Sequence, residues 1–188
     1  MNSRKMIRLK NHDYSGNGAY FVTICTKDRQ CLFWEDYDLF PEDSPTDQDP
    51  SGNGPFDVGA NIVRPQTHKK VHLTEYGKYV KEALLEIHKR YPMIYVDTFV
   101  IMPNHIHAVI RIDRPVFCEA SGRTMCAPTI SRVIKGFKEA VTKKSGFPVW
   151  QKSFYDHIIR SGKEYREISE YIRRNPEQWT SDEYFVKK

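Results

Sequence analysis

His105 and His107 flank Ile106 inside an apolar run that extends from Phe99 to Ile112. Side chains alternate along a strand, so both imidazoles face one side and Ile106 the other. Two imidazoles side by side on a rigid strand can chelate one divalent metal ion. A bare His-x-His also occurs as a structural pair. Here it belongs to the longer and more specific pattern Pro103-Asn104-His105-Ile106-His107.

A second group lies towards the C-terminus. Tyr171 and Asn175 share a helical face, with Glu167 one turn before the tyrosine and Arg174 close to it. A phenol, an amide oxygen and a carboxylate then meet on one surface. The plain alternative is an amphipathic helix with a half-buried tyrosine. The segment Trp150–Arg160 is also dense in functional types. Alternation puts Tyr155, His157 and Ile159 on one face, and Phe154, Asp156 and Ile158 on the other. His157 is a candidate phosphate contact or metal ligand, or else a core histidine. Tyr155 is a rival nucleophile, or else packing.

These parts suit attack on a phosphodiester. Its negative oxygens repel a nucleophile, and a divalent metal neutralises that charge. A phenol with a pKa of about 10 needs a nearby cation to become phenoxide. The product, a phosphotyrosine, conserves the bond energy for rejoining. Two histidines and one oxygen ligand leave open positions for phosphate oxygens. The oxygen ligand is Asn175, or alternatively Glu167.

The elements that must position these groups follow from periodicity. Ala19–Thr26 is a β-rich run and predicts a strand. Thr74 caps a predicted helix to about Tyr91, with Tyr76, Val80, Leu84, Ile87 and Tyr91 as its apolar stripe, and Pro92 stops it. Strands follow at Ile94–Met102 and His105–Ile112, joined by a tight bend at Pro103-Asn104. Thr129 or Ser131 opens the next helix, and Gly146 suits its C-terminal cap. Val149–Ile159 contains a short strand, and Lys163–Asn175 a last helix, ended by Pro176. The order β-α-β-β-α-β predicts an α+β, ferredoxin-like antiparallel sheet with helices on one face and an added C-terminal helix. One domain over residues 1–188 is expected, with a long loop or insertion at about 41–70 and a short strand pair near Phe56–Val63.

The net charge of +5 permits a polyanionic partner. Arg4, Lys5, Arg8 and Lys10 crowd the N-terminus. On the third-quarter helix Arg132, Lys135, Lys138, Lys143 and Lys144 form either a nucleic-acid track or a solvated face. Cys25, Cys31, Cys118 and Cys126 show no zinc-finger spacing, which favours reduced thiols. No signal peptide and no apolar run of about 18 residues is found, so a cytoplasmic, membrane-free protein is expected.

The stretch Phe99–Ile110, carrying His105-Ile106-His107, resembles the HUH motif of single-tyrosine transposases. Trp150–Arg160 and Tyr171-Ile-Arg-Arg-Asn-Pro176 resemble the C-terminal signature of the REP-associated tyrosine transposase branch. The likeness runs from about Tyr20 to Trp179 and leaves the 41–70 loop unmatched. It implies Mg²⁺ or Mn²⁺ on His105 and His107, Asn175 as third ligand and Tyr171 as nucleophile. It further implies single-stranded DNA hairpins as substrates, cleaved to a 5′-phosphotyrosine and a free 3′-OH. Both homodimers and monomers occur among such relatives. The expected activity is a metal-dependent single-strand endonuclease and strand transferase. The alternative is a hairpin-binding protein without catalysis.

Overall fold

The computed structural model describes residues 17–35, 71–113 and 128–186. The 41–70 loop with its expected strand pair, the N-terminal basic cluster, Cys118 and Cys126 lie outside these residues. Strand β1 (Gly18–Cys25) is followed by helices α1 (Glu75–Leu85) and α2 (Ile87–Arg90), then strands β2 (Ile94–Ile101) and β3 (His105–Ile112). Helix α3 (Ile130–Ser145), strand β4 (Tyr155–Ile159) and helix α4 (Gly162–Arg174) complete the order. The four strands form one antiparallel sheet in the order β2-β3-β1-β4. The expected α+β ferredoxin-like layout with an added C-terminal helix is therefore the observed one.

Local chemistry sets the helix ends. Thr74 Oγ1 accepts the Gly77 N–H at 3.1 Å, and Thr129 is the cap of α3 rather than Ser131. Gly146 closes α3 at φ 76°, a left-handed conformation that a residue without Cβ adopts at little cost. The helix expected to run unbroken to Tyr91 is instead two pieces, with Glu86 as the joint.

Strand parity divides the sheet into two faces. Tyr20, Val22, Ile24, Ile106, Ala108, Ile110 and Ile112 join Val80, Leu84, Val133, Ile134 and Phe137 in one core beneath α1 and α3. The opposite face carries Phe21, Thr23, His105, His107 and Val109. Helix α4 lies across the β2–β3 half of that second face and buries Ile172 there. Its anchor is a β-bulge in β2 between Val96 and Thr98. The bulged residue, Asp97, takes the Tyr165 hydroxyl at 3.0 Å and the Arg111 Nε–H at 3.0 Å.

Pro176 lies just past the end of the last α-helix, as expected. The α-helix ends at Arg174, but a 3-10 turn continues over Asn175–Ser181 with the proline in its first turn. Proline is tolerated there because the first amides of a helical turn have no internal acceptor. Trp179 is thereby buried against Trp34 and Phe185, at centroid distances of 6.3 and 5.2 Å. The residues after it return to the sheet.

The tightest backbone approach is at Gly77, where a Cβ would collide with the Phe33 carbonyl oxygen. A backbone atom cannot rotate away. Gly77→Ala is expected to cost about 1–3 kcal/mol in urea denaturation, as overpacking generally does.

Candidate metal and nucleophile site

His105 and His107 are both buried, at 0% and 2% exposure, although they belong to the face that α4 only half covers. Their Nε2 atoms are 3.1 Å apart. The partners of the other ring nitrogens decide what this means. Asn104 donates its amide to the carbonyls of Tyr184 at 2.7 Å and Arg29 at 3.3 Å. Its Oδ1 is therefore the acceptor that faces His105 Nδ1 at 2.9 Å, and His105 carries its proton on Nδ1. His105 Nε2 is left as a bare lone pair. His107 Nδ1 meets Thr23 Oγ1 at 2.8 Å, and a hydroxyl can donate or accept. His107 can thus offer His105 an N–H, or turn a second lone pair towards the same point once a cation is there.

Asp182 completes the cluster. Its Oδ2 is 3.9 Å from His105 Nε2, while Oδ1 accepts the Tyr184 N–H at 2.7 Å. One donor atom from each of His105, His107 and Asp182 falls within 4.8 Å of the others. Asn175 is buried, and its amide donates towards both Tyr171 and Asp182. Its Oδ1 is buried without a hydrogen-bond partner. A buried carboxylate and an imidazole lone pair within reach of one point, with the unpartnered Asn175 amide oxygen buried nearby, form a donor set that fits a divalent cation.

Tyr171 stands at the rim, 41% exposed, with its hydroxyl 3.4 Å from His107 Nε2. Burial, then the Asp182 charge, pushes its phenol above the ordinary value. Tyr184 covers the other side, its ring 4.6 Å from that of His105, and the Arg29 guanidinium lies 5.0 Å over it. Asp28 and Arg29 both adopt positive φ, 54° and 55°, in the turn that brings Arg29 there.

The other residues singled out from sequence are distributed differently. His157 lies on the same sheet face but on β4, and its Nε2 bonds Glu164 Oε1 at 2.6 Å. Glu167 points to solvent and pairs with Lys163 at 3.8 Å, so it does not join the cluster. Tyr155 is exposed on β4. The α3 cations line the helix layer, behind the sheet from the histidines. Lys138 there is committed to the fold, donating to the carbonyls of Gln151 and Ser153, each at 2.8 Å. Lys135 pairs with Glu139 and Lys144 with Glu82, while Arg132 and Lys143 are exposed.

The family described as Transposase IS200 like matches residues 60–175, more than half of the chain. The chain belongs to that family. Within the IS200-like match lie His105, His107, Tyr171 and Asn175, whereas Asp182 and Tyr184 fall beyond its end. An uncharacterised protein of Haemophilus influenzae is 33% identical, with 97% of this chain and 93% of that protein aligned. A REP-associated tyrosine transposase of Escherichia coli is 25% identical over 55% of this chain and 56% of its own. A solved structure of a REP-associated tyrosine transposase bound to a REP hairpin superposes with a TM-score of 0.52 at 18% identity. It covers 91% of this chain and 74% of that one, and shows a shared fold. The resemblance read from the motifs therefore holds for this IS200-like transposase chain. Among the described residues no helix is long and apolar enough to cross a membrane.

Asp182, Tyr184, Asn104 and Thr23 were not assigned to the site from sequence. Asn104 was visible within the Pro-Asn-His-x-His pattern, and Thr23 by its parity on β1. Asp182 carried no signal, because it follows a proline expected to end the element.

Burial lowers His105 to about 2, with His107 as a second cause, and lowers His107 to about 4. The unfolded chain takes up these protons near pH 6.5 and the folded chain does not. Stability of chelator-treated protein is thus expected to be greatest above pH 6.5 and to fall as pH drops from 6.5 towards 4. Thermal melts across that range check the sign, and replacing both histidines by Gln should flatten the profile.

Proposed function

We propose that this chain is a metal-dependent endonuclease and strand transferase for single-stranded DNA at hairpins. His105, His107, Asn175 and Asp182 hold the cation, and Tyr171 is the nucleophile. The observation that carries this reading is the approach of the Tyr171 hydroxyl to a buried pair of imidazoles with a carboxylate and an orphaned amide oxygen beside them. A rim phenol over such a donor set is placed for attack on a bound phosphate, and a purely structural histidine pair needs none of it.

Tyr171 Oη forms a bond to phosphorus, and the phosphorus–O3′ bond breaks. The 3′ oxygen leaves as a hydroxyl, and the 5′ phosphate stays on the tyrosine. Reversal with another 3′-OH rejoins a strand. A divalent cation, Mg²⁺ or Mn²⁺ for this mixed nitrogen and oxygen set with open positions, would neutralise phosphate charge and favour the phenoxide. Asn104 and Thr23 orient the two imidazoles, and α4 holds the phenol at the rim. The exposed cations Arg132 and Lys143 on α3, with Lys135 and Lys144, are available to the hairpin backbone, at the cost of opening the latter two from their carboxylates. The Tyr171 hydroxyl reaches His107 of its own chain at 3.4 Å, the approach that cleavage in cis, without a homodimer, would use.

Incubation with end-labelled DNA hairpins from sequence flanking the gene, in Mg²⁺ or Mn²⁺, should give a labelled band at protein size on a denaturing gel. The band should vanish with chelator and in Tyr171→Phe. No band across many hairpins, with tight binding retained, supports instead a hairpin-binding protein without catalysis. A mixture of Tyr171→Phe and His105→Ala proteins should stay inactive, and restored activity would show a trans site.

Metal affinity can be read without DNA. Asp182→Asn is expected to weaken Mn²⁺ binding by calorimetry, and Asn104→Ala to weaken it on the order of 10–100-fold through loss of imidazole orientation. Unchanged affinity in Asp182→Asn removes that residue from the ligand set.

A further inference from the structure

Helix α4 covers the β2–β3 half of the site face, where Tyr165 reaches Asp97 and Tyr171 reaches His107. The β1–β4 half of that face is less covered: the start of α4 reaches it only through Glu164 on His157, and Tyr155 beyond is exposed. It bears an aromatic row. The Phe21 ring stacks beside His107 at 5.3 Å and 25°. Its edges meet Tyr171 at 6.2 Å and Tyr155 at 6.4 Å. Tyr155 is 45% exposed, on a strand that among the described residues pairs with β1 alone. Lys152 and Arg160, both exposed, stand just outside the two ends of that strand.

Exposed rings at both ends of this row, Tyr155 and Tyr171, with the half-buried Phe21 between them, form the kind of apolar surface that marks a binding site. The row is continuous with the phenol that attacks phosphate, so its occupant must be part of the same substrate. Bases inside a duplex already have both faces stacked. Unpaired bases offer a free face to an aromatic ring, whatever their identity. Cations at both ends of β4 suit the phosphates on either side of such bases.

We propose that Phe21 and Tyr155 form a stacking platform for the unpaired nucleotides next to the cleavage point, leading the strand from the β4 edge to Tyr171. This rests on the reading of the chain as a single-strand DNA enzyme. Stacking on Tyr155 uses its ring face and not its hydroxyl.

Fluorescence anisotropy on the full chain tests this, with labelled hairpins that are blunt or carry an unpaired tail. The tailed hairpin should bind wild-type protein more tightly than the blunt one. Tyr155→Ala should lose that advantage, on the order of tenfold, whereas Tyr155→Phe keeps it. Blunt-hairpin binding should be equal in all three. Equal tail binding by wild type and Tyr155→Ala overturns the platform. So does a loss that Tyr155→Phe shares, or one that affects blunt hairpins equally. If adducts form while Tyr155→Ala binds tails normally, the platform fails and the enzyme reading stands. If tail binding depends on the Tyr155 ring but no adduct ever forms, the platform stands and catalysis fails.

Discussion

A bare imidazole lone pair that meets a second imidazole nitrogen at 3.1 Å, next to a buried carboxylate, is the constraint on which the rest of this structure depends. Both rings are buried, so the polar groups there act in a medium less polar than water. The two rings satisfy each other by one hydrogen bond, while the carboxylate beside them is costly to bury without a positive charge, which a bound cation would supply. Each surrounding feature limits the cost. Asn104 holds one proton off Nε2, and Thr23 accommodates either tautomer of the other ring. The C-terminal turn closes over the pair with Tyr184 and is itself pinned by Arg29 and Asn104.

The two faces of the sheet therefore carry different kinds of energy. Beneath α1 and α3 the contacts are aliphatic and aromatic, and they make the fold. On the other face polar groups outnumber what packing alone requires. Ser169 and Asn175 on that side are buried with an unpartnered side-chain oxygen. The sheet supplies rigidity from one side and spends part of it on the other.

Much of this was legible in the residues. Strand alternation correctly put His105 with His107, and Tyr155 with His157. Helix spacing brought Tyr171 and Asn175 to one place, since one turn of backbone sets their relation whatever lies around them. Glu167, one turn earlier by the same rule, points instead to solvent, where it pairs with Lys163. The basic face of α3 looked uniform as a string of letters. Its tertiary neighbours divide it, committing Lys138 to two carbonyls and leaving Arg132 and Lys143 exposed. Asp182 was illegible because its place depends on a 3-10 turn that carries the chain past Pro176, and on Trp179 finding Trp34 across the molecule.

The bulge at Asp97 changes the parity of β2. Ile94 and Val96 face the core before it, and Phe99 and Ile101 face the core after it, so even positions give way to odd ones. The surplus residue is the one without a place in the ladder, and it is also the one that grips α4 through Tyr165. Sheet and nucleophile helix are thus indexed to each other by a single residue that the sheet does not need. An insertion or deletion elsewhere in β2 would be felt first as a change of phase in the core. A deletion at this position would leave the core in phase and uncouple the arm that carries Tyr171.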